Sequence, residues 1–278
     1  MPNPLEQYFR HPKLYIKLPS QGVFYAPDML DTTVNEEIPV YPMTALDQIT
    51  IRTPDALLNG DALLKIVSNC VPAIKDPKKL VEPDINTVLL AIRVASTGPT
   101  LSMDLACPKC NHDNSYQVDL NAILETQQFL DVNNTIDLDG DLIIHLRPYD
   151  FEQRNLTLLN EIQQTQAVSI LDKDADMGET AKLSELGRLV TKMATRTFDI
   201  MAKSITHISI VKTGQTVTDT DFISEFVRNI NKSQADVIMS KLKELNTMGI
   251  DSTCHFKCES CNHEWDHTMD FDPASFFG

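Results

Sequence analysis

Two six-residue stretches carry most of the chemistry open to this chain: Cys107-Pro108-Lys109-Cys110-Asn111-His112 and Cys258-Glu259-Ser260-Cys261-Asn262-His263. Each is a Cys-x-x-Cys turn followed by Asn-His. Together they offer four thiolates, the donor set of a closed tetrahedral site with sulfur about 2.3 Å from the ion. Zinc takes that set, and iron takes it as well. Four protein ligands leave no open position for a substrate, so the chemistry such a site supplies is structural. The Asn after the second Cys of each turn suits a backbone that doubles back through positive φ, where Gly and Asn are tolerated. We therefore expect a structural zinc ion on Cys107, Cys110, Cys258 and Cys261, tying the middle of the chain to its end across residues 111–257.

A second pattern overlaps the second turn. His263-Glu264-Trp265-Asp266-His267 matches H-E-x-x-H, the zinc-peptidase signature. That chemistry needs a helix, which brings two His four residues apart onto one metal and lets the Glu reach its water. Here the run leaves a Cys turn as a strand, where side chains four apart are separated by roughly 13 Å. His263, and His112 by symmetry, fit better as hydrogen-bond donors to a cysteinate or as surface groups. Cys70 and Cys254 read as packing thiols. The chain has no Gly-rich phosphate loop and no G-x-S-x-G, and neither Cys pair opens a helix as a redox pair does. Asp137, Asp139 and Asp141 lack the spacing and closing Glu of a calcium loop. No catalytic residue is expected, and no enzyme.

The elements that must position the cysteines give an α+β fold. A strand-rich N-terminal segment precedes a predominantly helical middle, and two distant knuckle hairpins form a split four-cysteine zinc ribbon. By this reading 1–100 is an N-terminal strand and helix region. Residues 101–120 and 251–278 make the ribbon, and 121–250 is a helical insertion with short hairpins. Tyr15-Ile-Lys-Leu18 alternates as a strand, Pro19-Ser20-Gln21-Gly22 turns, and Glu37–Pro42 is an edge strand because Pro39 cannot donate to a ladder. Thr44 opens a helix with Asp47 in its first turn, and a further helix runs from Pro54 to Asn59-Gly60. From 61 to 70 a helix places Leu63, Ile66, Val67 and Cys70 on one face. Pro72 to Pro83 reads as a linker, and a helix follows from Asp84 to about Ser96. Within the insertion we expect a helix over 121–130 and a hairpin over 136–146 turning at Asp139-Gly140. A helix then begins at Pro148, echoing Pro42–Asp47, and a second hairpin spans 207–217. Helices over 218–230 and 233–246 close the insertion, the latter capped by Ser233 with Asp236.

The longest helix, 179–204, carries an apolar seam of Leu183, Leu186, Val190 and Met193. Such a seam serves the chain's own core or another protein's helix. Phe276-Phe277 near the end either tucks into the ribbon or anchors a partner. These six residues are the candidate partner-binding positions.

Composition narrows the partners. The 278 residues hold 24 Lys and Arg against 39 Asp and Glu, a net charge of −15 that repels a phosphate backbone. Around the knuckles only Lys109, Lys257 and Trp265 would meet a nucleic acid. No apolar run reaches membrane-span length, and Met1-Pro2-Asn3-Pro4 shows no signal peptide. Six Cys with four in Cys-x-x-Cys pairs favour a reducing compartment and metal over disulfides.

The order of several motifs carries a resemblance over most of the chain. Pro19-Ser20-x-Gly22 comes first, then Pro42-Met43-Thr44 opening a helix, Asn59-Gly60, and Ile92-Arg93 before the Cys-Pro-x-Cys knuckle. Ile208-Ser209-Ile210 with Gly214 and Thr218-Asp219 follows, then the second Cys-x-x-Cys and the closing Phe276-Phe277. In this order the chain resembles the baseplate hub assembly proteins of T-even-like contractile-tailed phages. The resemblance implies a non-enzymatic component or assembly factor of the central hub of the tail baseplate. Its partners would be other tail or hub proteins. Its location would be the host cytoplasm during assembly, and the virion for a chain kept in the finished tail. The alternative is a zinc-ribbon module associated with nucleic acid or transcription, which the charge disfavours.

Overall fold

The computed structural model of the chain describes residues 5, 8–51, 60–131, 133–173, 179–269 and 276. It mixes helix and strand, as expected, and divides into two compact units. One takes the described residues of 1–130 and 248–278, the other those of 131–247.

The first unit begins with β1 (Leu14–Ile16) paired antiparallel to β2 (Ile38–Val40), Tyr15 lying opposite Pro39. Pro39 donates nothing, which fits a strand with a neighbour on one side only. The Pro19–Gly22 turn between them, with Gln21 and Gly22 both at positive φ, is pinned from below by a buried carboxylate. Asp84 Oδ1 accepts the Ser20 N–H at 2.8 Å, and Oδ2 accepts the hydroxyls of Ser20 and Tyr25. Helix α1 (Ala45–Ile51) opens on a capping box. The Asp47 N–H reaches Thr44 Oγ1 at 3.2 Å, and Asp47 Oδ2 accepts the Thr44 N–H at 2.8 Å. Helix α2 (Asp61–Cys70) buries Leu63, Ile66, Val67 and Cys70 on the expected face. The helix expected over 54–59 lies outside the described residues.

Residues 72–83 are not a linker. Ala73, Ile74, Leu80 and Val81 are buried, Leu30 bridges Ile74, and Pro77–Lys79 makes a 3-10 turn. The prolines direct the chain along the core instead of away from it. Helix α3 (Glu82–Thr97) then runs through the middle of the unit. Ile85, Val88, Leu89, Leu90, Ala91 and Ile92 are all buried, so this helix is apolar nearly all round. Asp84 sits in its first turn, where the helix dipole favours negative charge.

Strands β3 (Thr100–Ala106) and β4 (Asp113–Asp119) follow as a hairpin, in register from Thr100 opposite Asp119 to Ala106 opposite Asp113. The Asp119 carboxylate caps α4 (Leu120–Glu125), accepting the Asn121 N–H at 2.9 Å. This helix stops well short of 130 because tertiary bonds take the backbone that would have continued it. The Gln128 N–H goes to the Gly249 carbonyl at 2.8 Å and the Leu130 N–H to the Pro19 carbonyl at 2.9 Å.

Among the described residues the second unit is an antiparallel four-stranded sheet with four helices. In chain order its elements are β5 (Thr135–Leu138), β6 (Leu142–Leu146), α5 (Phe151–Lys173), α6 (Glu179–Ser204), β7 (Ile205–Ile210), β8 (Gln215–Val217), α7 (Thr220–Asn229) and α8 (Lys232–Thr247). The sheet order is β5-β6-β7-β8, and Ile136, Leu138, Ile144, Leu146 and Ile208 form its buried face. Helix α5 opens on an Asp150–Gln153 capping box, the same device that Thr44 and Asp47 supply after β2. The 42–47 and 148–153 echo is therefore at least a shared capping chemistry. Gln153 is fully buried and its amide donates to Ser204 Oγ at 2.7 Å and to the Ile200 carbonyl at 3.0 Å, joining α5 to the end of α6. Helix α8 is capped by Asn231 with Gln234 and not by Ser233 with Asp236. The box simply sits two residues earlier.

The chain re-enters the first unit at Met248, just before Gly249, whose φ of 102° a side chain rarely adopts. Strands β9 (Thr253–Lys257) and β10 (Glu264–Thr268) complete it as a second hairpin. Among the described residues no helix is long and apolar enough to cross a membrane.

Candidate metal centre

The tips of the β3–β4 and β9–β10 hairpins are built alike. In the first, the Cys107 N–H donates to the His112 carbonyl at 2.9 Å and the Asn111 N–H to the Cys107 carbonyl at 2.9 Å. In the second, the Cys258 N–H donates to the His263 carbonyl at 2.9 Å and the Asn262 N–H to the Cys258 carbonyl at 3.0 Å. Asn111 and Asn262 have φ of 55° and 54°, the left-handed geometry that the sequence led us to expect. Each turn thereby aims two thiols past its tip.

The four sulfur atoms of Cys107, Cys110, Cys258 and Cys261 all lie within 4.8 Å of one another. Two pairs across the hairpins, Cys107 with Cys261 and Cys110 with Cys258, are 3.7 Å apart. A tetrahedron with a metal–sulfur distance of about 2.3 Å has edges of about 3.8 Å. The donor set therefore has the size and the chemistry of a tetrathiolate metal site. A disulfide would need sulfurs at about 2 Å. Cys107 and Cys258 are fully buried, Cys261 is half-buried and Cys110 is exposed.

The thiols perturb one another strongly. Burial pushes Cys258 up, but the N–H groups of Cys261 and Ser260 and the thiols of Cys110 and Cys261 bring it down to about 6. The His112 N–H draws Cys110 down, yet burial and the thiols of Cys261, Cys107 and Cys258 push it up to about 12. A cluster this tight resists carrying four negative charges by itself, and a divalent cation relieves that conflict.

Residues beyond the cysteines lock the two hairpins together. Asn114 is buried, and its Oδ1 accepts the Glu259 N–H at 3.0 Å while its amide donates to the His112 carbonyl at 2.8 Å. One side chain thus ties the first knuckle to the second. The Tyr116 hydroxyl donates to the Lys257 carbonyl at 2.8 Å, and its ring lies 4.4 Å from that of Phe256. Trp265 closes this aromatic cluster at 6.1 Å from both. Asn114 and Tyr116 were missed in the sequence. Their signal is the alternation of β4, which puts Asn114, Tyr116 and Val118 on the inward face.

Glu264 to His267 of the H-E-x-x-H run lie on β10, as their position after a Cys turn implied, and His263 directly precedes the strand. Glu264 pairs across the hairpin with Lys257, their charged ends 3.1 Å apart, and Asp266 pairs with His255. His267, three positions from Glu264, belongs to the opposite face and lies 6.3 Å from the Phe256 ring. These side chains do not converge. The His263 ring stacks on Trp265 at 6.2 Å, and it is the backbone carbonyls of His112 and His263, not their rings, that serve the knuckles.

The remaining candidates divide. On α6, Leu183 and Val190 are 68% and 55% exposed, whereas Leu186 and Met193 are half-buried. Arg196 of the same helix reaches Asn160 and Gln163 of α5 at 3.2 and 2.9 Å, so one side of α6 is taken by its neighbour. Phe276 is only 3% exposed, and its carbonyl accepts Arg93 Nε at 2.9 Å. It is tucked into the first unit, and Phe277 lies outside the described residues.

Comparison with curated proteins and with solved structures found no match. Comparison with family models did: the one described as T4 bacteriophage base plate protein matches residues 32–278, from before β2 through both knuckles. That span takes in the strand-turn-helix start, the sheet and helices of the second unit, and all four clustered cysteines. The chain belongs to the T4 bacteriophage base plate protein family.

Proposed function

We propose that this baseplate protein works at the central hub of the tail, as a component or assembly factor, through protein–protein contacts and without catalysis. The family match over residues 32–278 carries the reading. The motif order that resembles hub assembly proteins narrows it to the hub. Contacts with other baseplate proteins follow from membership in the family, and so does a place in the virion tail. Folding and first contacts would take place in the host cytoplasm.

In this reading Cys107, Cys110, Cys258 and Cys261 hold a structural zinc ion. The metal supplies a cross-link between two hairpins that the sequence separates by residues 111–257. The sulfur spacing near a tetrahedron's edge supports it. The chain's own residues do the rest: Asn114 registers one knuckle on the other, and Tyr116, Phe256 and Trp265 fill the space between the hairpins. The partner surface is the outward side of α6, at Leu183 and Val190, which the second unit leaves open to another chain of the baseplate. Large exposed apolar side chains at helical spacing are the usual mark of such a contact.

Interrupting the gene in the phage that encodes it tests the proposal. Tail assembly should stop at the baseplate stage and resume when the chain is supplied from a plasmid. Normal tails in its absence would refute the hub reading. Loss of tails restored by the chain, together with metal-dependent peptide hydrolysis by the purified protein, would refute the non-enzymatic part.

A further inference from the structure

The knuckle thiols make two pairs that a covalent bond can join in place of a metal. Cys107 and Cys261 lie 3.7 Å apart, and so do Cys110 and Cys258, each pair reaching from one hairpin to the other. Closing that gap to the roughly 2 Å of a disulfide moves each sulfur by about 1 Å, within reach of side-chain rotation. Each pair also sets an accessible sulfur against a sheltered one. Cys110 is exposed and Cys261 half-buried, whereas Cys107 and Cys258 are fully buried. An oxidant from solvent therefore meets one member of a pair first, and the other stands beside it to resolve the product.

The two hairpins do not depend on sulfur alone to stay together. Asn114 Oδ1 accepts the Glu259 N–H at 3.0 Å, and the Tyr116 hydroxyl donates to the Lys257 carbonyl at 2.8 Å. The Tyr116 ring lies 4.4 Å from that of Phe256, with Trp265 beside both. None of these contacts passes through a cysteine side chain. They keep the facing thiols in register while the bonding of the sulfurs changes.

A reducing interior keeps thiols free to hold a metal, whereas surroundings outside a cell favour disulfides. A chain of the virion tail meets both. We propose that Cys110 with Cys258, and Cys107 with Cys261, form a paired oxidation site, in which two disulfides take the place of the metal cross-link when the chain meets a peroxide. The proposal rests on the reading of these four cysteines as a metal site and deepens it: the same two hairpins stay tied on either side of the change.

The chemistry runs in two steps for each pair. The Cys110 thiolate attacks one oxygen of hydrogen peroxide, the O–O bond breaks, and a sulfenic acid and a hydroxide ion result. The Cys258 thiolate then attacks the Cys110 sulfur, the S–S bond forms, the S–O bond breaks, and a second hydroxide leaves. Two thiolates have given up two electrons, and one peroxide has been reduced to two hydroxide ions. Cys261 and Cys107 repeat the steps with a second peroxide. Disulfide sulfur is neutral, so the four-thiolate donor set is gone and the chain gives up its ion.

Hydrogen peroxide added to the full-length, metal-loaded chain in the presence of a chromogenic chelator tests it. Zinc should be released as the thiols are lost, and peptide mapping without reductant should return bridges joining Cys110 to Cys258 and Cys107 to Cys261. The fluorescence of Trp265, the chain's single tryptophan, should keep its folded-state maximum, because the aromatic cluster stays closed. A chain carrying Cys70→Ser and Cys254→Ser, in which only the four knuckle thiols remain, should pair in the same way. Bridges within a turn, joining Cys107 to Cys110 or Cys258 to Cys261, overturn the proposal. So do sulfinic or sulfonic acids without bridges, and metal held unchanged against a large excess of peroxide. A chain purified without metal that still forms the two bridges across the hairpins refutes the metal reading and leaves the oxidation site standing. A metal-loaded chain that bridges in any other pattern refutes the oxidation site and leaves the metal reading standing.

Discussion

Replacing Asp84 by asparagine should flatten one component of the protein's pH dependence. Asp84 is fully buried at the start of α3, where it holds Ser20 and Tyr25 and thereby the Pro19–Gly22 turn. Burial raises its carboxyl from 3.8 to about 6, and the hydrogen bonds from Ser20 and Tyr25 only partly oppose this. The folded value lies above the unfolded one. The group's contribution to stability is therefore fully present below about pH 4 and is lost as pH rises through about 6. At roughly 1.4 kcal/mol for each tenfold change in proton affinity, the loss is about 3 kcal/mol. The protonated carboxyl still finds acceptors, because both hydroxyls can turn to receive a proton. Urea unfolding of wild type and Asp84→Asn, followed by fluorescence at several pH values, isolates the term. The difference between the two proteins should shift against the wild type by about 3 kcal/mol from pH 4 to pH 7.5. Two parallel profiles would refute the argument that burial dominates this carboxylate.

Further outcomes follow from the same geometry. Gly249→Ala should destabilise the first unit by about 2 kcal/mol or more, since φ there is 102° and a Cβ would lie 3.2 Å from Pro83 Cβ and 3.3 Å from Pro19 Cγ; a urea midpoint equal to wild type would contradict this. Asn114→Ala leaves the Glu259 N–H without its partner, costing about 1–3 kcal/mol, and should speed metal loss to a chelator while leaving metal stoichiometry intact. Glu264→Gln should change neither metal content nor any hydrolytic background, because Glu264 is committed to Lys257 on the outer face of β10.

Legibility in the sequence was greatest where local chemistry decides the structure. The positive φ of Asn111 and Asn262, the Thr44–Asp47 box, the face of α2 and the full span of α6 all follow from short-range rules, and all appear as read. What was hidden is tertiary. Residues 72–83 have a linker's composition, and only the core around Leu80 and Val81 shows why three prolines belong there. The run 121–130 has helical residues, but Gln128 and Leu130 spend their N–H groups on Gly249 and Pro19. Asp84 looks like an ordinary solvated first-turn carboxylate until Ser20 and Tyr25, some sixty residues earlier in the chain, close over it. At the candidate metal centre the clustering of four cysteines was legible from their repeated turn. Asn114 was not, because one Asn in an alternating strand gives no sign of the distant N–H it will hold.

The central claim is that one metal ion joins the two knuckles, and elemental analysis of the purified full-length chain tests it most directly. The account predicts one zinc per chain, retained in Cys70→Ser, whose thiol is buried in α2 far along the sequence from either knuckle, and largely lost in Cys258→Ser together with the compactness of the β3–β4 and β9–β10 hairpins. A wild-type chain with well under one zinc or iron per molecule, its four knuckle thiols reduced and its fold intact, would contradict it.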